Sequence, residues 1–138
     1  MPPRPRHHRT GWRYRVVPFV TDVLPDLYAA TSLVVGRAGA GTVTELAALG
    51  LPAILVPLPG ARGDEQTANA RMLADAGAAL LLPESDLAPE PLVALVRGLV
   101  HAPGRLAEMS RRARTLARSD AATRLVDLIL ALATPRLG

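Results

Sequence analysis

Residues 33–58 read LVVGRAGAGTVTELAALGLPAILVPL, and this stretch restricts what the chain can fold into more than any other. An apolar run, Leu33 to Val35, enters a Gly/Ala loop from Gly36 to Gly41. A helical pattern follows from Thr42 to Leu49 and stops at Gly50 and Pro52, where a glycine and then a proline end helices. A second apolar run, Ala53 to Val56, stops at Pro57. Strand, glycine loop, helix and strand in that order form a βαβ unit. In such a unit the first N–H groups of the helix face whatever sits at the strand end, and an anion is favoured there.

The rest of the chain repeats this alternation. Arg13 to Val17 predicts a short strand ending at Pro18-Phe19. Thr21-Asp22 caps a short helix over about Val23 to Ala30, with Pro25 tolerated in its first turn. Ser32 to Val35 is the next strand, apolar throughout, as a parallel strand covered on both faces should be. After the central unit, Asp64 caps a helix to about Ala76, with Gly77 in the C′ position. Ala78 to Leu82 is a further strand. Leu87 to Val100 is helical, with Leu92, Leu95, Val96 and Leu99 on one face. Helices over Arg105 to Arg118 and Ala121 to Ala133 follow, separated by Ser119-Asp120. The expectation is an α/β domain: a partial Rossmann-like parallel sheet of about four strands with flanking helices, against about six in a full doubly wound sheet.

Composition narrows the function classes. The 138 residues suffice for one core, and with aromatics at 3% that core is aliphatic. The absence of cysteine rules out disulfides, thiolate metal sites and cysteine nucleophiles. No apolar run approaches the roughly 20 residues of a spanning helix. The opening MPPRPRHHRTGWRYR lacks the apolar middle of a secretory signal, so the expected compartment is the cytoplasm. The net charge of +4 is carried by arginine alone, for there is no lysine. Without aromatic platforms or a helix-turn-helix pattern, it does not indicate nucleic acid. Arginine contact with an anionic membrane surface stays open. Residues 1–12 read as a disordered basic lead-in, and the His7-His8 pair within it is not taken as a metal site.

Three groups of residues could carry chemistry. In the loop Arg37-Ala38-Gly39-Ala40-Gly41-Thr42, small residues let a ligand approach the backbone at a helix start; the alternative is an ordinary tight turn. Glu45 has two readings. Thr42-Val43-Thr44-Glu45 fits a capping box, in which the carboxylate folds back to the cap N–H. Alternatively the carboxylate accepts the two hydroxyls of a ribose. Asp64, Glu65 and Gln66 with Asn69 follow the next strand and belong at the same carboxyl edge, where parallel sheets bind ligands; the alternative is an ordinary capped, solvated first turn. No Ser/His/Asp set, paired carboxylates or general base accompanies them, so no catalytic residue, metal or cofactor is nominated.

The string VVGRAGAGTVTELAALGLPAILVPLP with DEQTANARMLADAGAALLL resembles the C-terminal domain of the MurG-type peptidoglycan glycosyltransferases, over about Tyr14 to Ala133. The resemblance implies the C-terminal half of a GT-B fold. It also implies an inverting transfer of N-acetylglucosamine from UDP-GlcNAc to the lipid-linked muramoyl-pentapeptide, lipid I, giving lipid II. By position, the backbone around Arg37, Gly39, Ala40, Gly41 and Thr42 would face the sugar and diphosphate. Glu45 would hold the ribose, and Gln66 would reach the sugar hydroxyls with Asn69 completing that motif. The backbone of Phe19-Val20 would meet the uracil. Glu65 departs from the glutamine or histidine that many members carry there.

The resemblance further implies that residues 13–134 are the donor-binding domain without its first βα unit, and that residues 135–138 are a tail. The acceptor-binding domain would lie outside this chain. On that expectation the chain binds donor but does not turn over alone. The alternative is a non-catalytic partner of a separate acceptor-domain subunit, or a remnant of a related glycosyltransferase with another acceptor.

Overall fold

The computed structural model describes residues 16–117. The chain divides into two compact units, Met1–Ala30 and Thr31–Gly138. In the first, helix α1 (Leu24–Ala30) carries Pro25 in its opening turn. The Leu24 N–H donates to Thr21 O at 3.1 Å and the Leu27 N–H to Val23 O at 3.0 Å, so the chain turns into the helix where Thr21-Asp22 were expected to start it.

The second unit holds the βαβ stretch. Strand β1 (Val34–Gly36), helix α2 (Ala40–Leu49), strand β2 (Ala53–Leu55), helix α3 (Glu65–Asp75) and strand β3 (Ala79–Leu81) follow in turn, then helices α4 (Pro89–Val100) and α5 (Pro103–Leu116). The strands are parallel in the order β1-β2-β3. Val35, Ile54 and Leu80 share one register row, flanked by the rows Val34, Ala53, Ala79 and Gly36, Leu55, Leu81.

Side chains alternate across a strand, and here that assigns the faces. Ile54, Val56 and Leu82 pack with Leu99 of α4 and Met109 of α5, with Leu80, Leu92, Leu95, Val96 and Leu106 around them. The helical face expected for Leu92, Leu95, Val96 and Leu99 is therefore the face α4 buries. Ala53 and Leu55 project the other way and are also fully buried, and α2 and α3 contribute the buried residues Val43, Leu46, Ala47, Ala70 and Leu73. The core is aliphatic throughout, as the composition requires.

Several boundaries move. Helix α2 starts at Ala40, two residues before the expected Thr42, while α4 and α5 start at Pro89 and Pro103. Proline at a first helical position loses no hydrogen bond and brings a helical φ, which is why it opens both helices. A short 3-10 turn, Glu84–Asp86, takes the place of the chain just before α4. The sheet has three strands among the described residues, against the expected four. Arg13, Tyr14 and Arg15 of the first expected strand lie outside those residues, and Val16 and Val17 are not in a strand. The expected Ala121–Ala133 helix, the lead-in and the tail also lie outside them.

Both crossover helices end on a left-handed glycine. At Gly50 (φ 69) the N–H donates to Ala47 O, and the Leu51 N–H to Leu46 O at 2.9 Å. At Gly77 (φ 72) the pair is Gly77 to Ala74 and Ala78 to Leu73, both 2.8 Å. An arginine of α5 covers each one: a Cβ at Gly50 would lie 2.5 Å from Nε of Arg114, and one at Gly77 would lie 2.5 Å from the Arg112 guanidinium. A cation beside a helix C-terminus is favourable. Gly50→Ala should therefore destabilise the fold by about 1–2 kcal/mol for the left-handed backbone, and more if Arg114 is displaced. The midpoint of urea unfolding reads this directly; an unchanged midpoint would show that neither constraint operates.

Candidate functional site

The loops after β1 and β2 and the starts of α2 and α3 meet at the carboxyl edge of the sheet. Gly39 is the cap residue of α2, with φ −64 and ψ 153. The helix ladder begins where the Val43 N–H donates to Gly39 O at 3.0 Å. The N–H groups of Ala40, Gly41 and Thr42 precede that bond and lie outside the ladder. Gly39 has no side chain with which to take any of them. These N–H groups and the helix dipole make this end of α2 electropositive without a charged side chain.

This geometry overturns the capping box. Thr42 is the third residue inside α2 and not its cap, so the Thr42–Glu45 spacing does not frame the helix start. Thr44 turns back on its own helix, its hydroxyl donating to Ala40 O at 2.8 Å. Glu45 is exposed, one turn beyond Gly41. Helical side chains lean toward the N-terminus, so Glu45 leans over the position where Gly41 has none.

Neither loop glycine is demanded by the chain itself. No positive φ occurs at Gly39 or Gly41, and a Cβ built at either would have no neighbour within 4 Å. Glycine in a helix costs roughly 0.5–1 kcal/mol relative to alanine. Gly41 stands in the first turn of α2, and its missing side chain leaves open space there.

Helix α3 holds the loop in place. The Gln66 Oε1 accepts from the Ala38 N–H at 3.3 Å and from the Leu58 N–H at 3.0 Å, joining the loops after β1 and β2. Two N–H donors fix the amide orientation, so Gln66 turns its Nε2 hydrogens, and not its oxygen, to anything further. One turn on, Asn69 Nδ2 donates to Ala38 O at 3.0 Å. Ala38 is 0% exposed, and both of its backbone polar groups end on α3 side chains. The solvated first turn expected as the alternative does not describe these two residues. Asp64, at the α3 cap position, has a left-handed backbone (φ 57), the one non-glycine residue with positive φ among the described residues. Glu65 follows it, exposed in the first turn.

Arg37 is engaged on the other side of the loop. Its guanidinium donates to Val56 O at 3.3 Å and Pro57 O at 3.4 Å and forms an ion pair with Glu84. The Arg37 hydrogen bond holds the Glu84 carboxyl below its ordinary range and raises Arg37 in return. A shallow hollow of about 220 Å³ lies beside this pair, lined by Val35, Gly36, Arg37, Val56, Leu87 and Leu92.

The second unit thus ties the loop that holds Gly39, Ala40, Gly41 and Thr42 to Gln66 and Asn69 of α3 through Ala38, while the Arg37 side chain is directed to Val56, Pro57 and Glu84, and Glu45 and Glu65 stand exposed on α2 and α3. Phe19 and Val20 belong to the first unit, Phe19 with 81% of its surface exposed and Val20 half-buried. Sequence reasoning missed Glu84 and gave Ala38 no role beyond that of a small loop residue. A buried alanine carries no chemical signal, and a carboxylate 47 residues from its arginine leaves no local pattern.

The family model for the glycosyltransferase family 28 C-terminal domain matches residues 3–125. The chain belongs to glycosyltransferase family 28. A protein of Nitrobacter hamburgensis named UDP-N-acetylglucosamine--N-acetylmuramyl-(pentapeptide) pyrophosphoryl-undecaprenol N-acetylglucosamine transferase is 49% identical over 118 residues, 86% of this chain and 32% of that protein. A protein of the same name from Rhodopseudomonas palustris is 51% identical over the same shares. Among solved structures, Acinetobacter baumannii MurG superposes with a TM-score of 0.78 at 43% identity, covering 85% of this chain and 35% of that one. This family 28 chain therefore spans about a third of the length of the relatives it matches. Among the described residues, no helix is long and apolar enough to cross a membrane.

A depressed carboxyl stabilises the fold above its unfolded pKa, and that contribution is lost as pH falls through the folded one. Wild type should therefore melt higher than Glu84→Gln at neutral pH, and the two should converge as pH falls below the usual carboxylate range, through the lowered value Glu84 has in the fold. The gap should also shrink in high salt, since the pair is exposed. A gap that persists at low pH would show that Glu84 acts by packing and not by charge.

Proposed function

We propose that this chain is the nucleotide-sugar-binding part of a family 28 glycosyltransferase, taking UDP-GlcNAc with its diphosphate at the N-terminus of α2. The observation that carries this reading is the pair Gly39 and Gly41. Their backbone conformations need no glycine, a Cβ at either would meet nothing within 4 Å, and the N–H groups of Ala40, Gly41 and Thr42 lie outside the helix ladder at the same helix start. Family membership and the names of relatives at about half identity support a UDP-sugar as the occupant of that space.

In this reading the Ala40, Gly41 and Thr42 N–H groups hold the diphosphate, Glu45 accepts the ribose hydroxyls, and the Gln66 Nε2 hydrogens meet the sugar. Arg37 and Glu65 border the site. The parent reaction is an inverting displacement by a hydroxyl of the lipid-linked muramoyl-pentapeptide, with UDP leaving. Negative charge grows on the leaving diphosphate as the glycosidic bond breaks. Fixed N–H dipoles stabilise that charge without reorganising. We assign this chain donor binding, with the acceptor and general base supplied by an acceptor-binding domain, on a membrane face where the lipid-linked acceptor resides.

Two substitutions separate binding from folding. Gly41→Ala should stabilise the fold by up to about 1 kcal/mol while weakening UDP-GlcNAc in isothermal titration, because the new methyl enters the ligand's space. Glu45→Ala should leave the fold intact and weaken UDP-GlcNAc about tenfold or more, the loss of two hydrogen bonds to a charged group. Undiminished affinity in both variants would remove the site from the end of α2. Multiple turnovers by the 138-residue chain with a lipid I analogue would contradict the assignment of binding alone.

A further inference from the structure

Asn69 belongs to the ligand-facing set implied by family resemblance, but its contact runs elsewhere. We propose that Asn69 is a positioning residue: it acts on the donor through Ala38, by setting where α2 begins, and does not itself touch the nucleotide sugar. This inference rests on the donor-binding reading above.

The geometry is specific. Asn69 Nδ2 donates to Ala38 O at 3.0 Å, and that oxygen is the acceptor four residues before Thr42. In an α-helix the Thr42 N–H would bond that carbonyl if the helix began one residue earlier. Asn69 occupies it instead. Gly39 stays extended (ψ 153), α2 opens at Ala40, and the first ladder bond runs from Val43 to Gly39. The Thr42 N–H is left outside the ladder, the third donor at the helix end. Gln66 holds the other side of the same residue, its Oε1 accepting from the Ala38 N–H at 3.3 Å. Ala38 is thereby held at both polar groups and fully buried, with Gly39 extended beside it.

Depth along α3 agrees. The N-terminus of α3 lies at the ligand edge, and three residues of helix rise about 4.5 Å. Asn69 therefore sits that much farther from the edge than Gln66, half-buried behind the loop it holds.

UDP, which lacks the sugar, distinguishes positioning from contact. Isothermal titration of wild type, Asn69→Ala and the isosteric Asn69→Asp, with UDP and with UDP-GlcNAc, gives the readout. Asn69→Asp is the variant to use if alanine leaves the chain unfolded. A positioning residue predicts that Kd rises for both ligands by the same factor, roughly five- to tenfold, with stoichiometry unchanged. In the ligand-free variants the Thr42 amide should exchange with solvent more slowly, because it gains the freed carbonyl. A loss confined to UDP-GlcNAc would make Asn69 a sugar contact and overturn the inference, as would wild-type affinity for both ligands. Reduced stoichiometry at unchanged Kd would mean only that less protein is folded, and would overturn it too. If wild type itself binds neither ligand, the donor-binding reading fails and this inference falls with it.

Discussion

The two backbone groups of Ala38 are buried at the junction of β1 and α2, and everything at the carboxyl edge depends on how they are satisfied. A buried peptide group without a partner costs about 1–3 kcal/mol. The chain meets that demand with side chains of α3, Gln66 for the N–H and Asn69 for the carbonyl. A strand end, a helix start and the helix of the next crossover are thereby tied at one residue. Because Gln66 also accepts from Leu58, the loop after β2 is drawn into the same tie. The glycine loop is therefore held at its edges and left empty in its middle.

The electrostatics of the edge follow from that arrangement. Arg37, the cation nearest the loop in sequence, is directed to the Val56 and Pro57 carbonyls and to Glu84. Positive potential at the loop then comes from backbone N–H groups and the α2 dipole, which keep a fixed direction where a flexible guanidinium would not. The opposite ends of α2 and α3 close on Gly50 and Gly77, with Arg114 and Arg112 of α5 against them. Helix α2 thus has an N-terminus free of charged side chains at the carboxyl edge, whereas α3 carries Asp64 and Glu65 at its start, and both helices close on a glycine at the other end. That polarity suits a diphosphate and gives the proposed donor site its direction.

Much of this was legible in the residues. The order strand, glycine loop, helix, strand can be read from Leu33 to Leu58, because parallel strands are apolar throughout and Gly50 and Gly77 punctuate the helices. The apolar period of Leu92, Leu95, Val96 and Leu99 marked the buried face of α4. What failed was local. Thr42 and Glu45 have the spacing of a capping box, yet the cap is Gly39, because Asn69 and the open space at the loop decide the helix start, and both are tertiary. Gln66 and Asn69 stood out as polar residues at the right edge, but their backbone partner lies about 30 residues upstream, where spacing gives no warning. The Arg37–Glu84 pair spans the edge for the same reason. The family resemblance pointed to the loop as a ligand site; the hydrogen bonds show how the loop is held.

A diphosphate received by the first N–H groups of α2 would perturb those amides before any others. Titration of the 15N-labelled chain with UDP, followed by amide chemical shifts, should give saturable shifts that are largest at Ala40, Gly41 and Thr42, and small along α5. Saturable binding that leaves those three amides unmoved would contradict that placement.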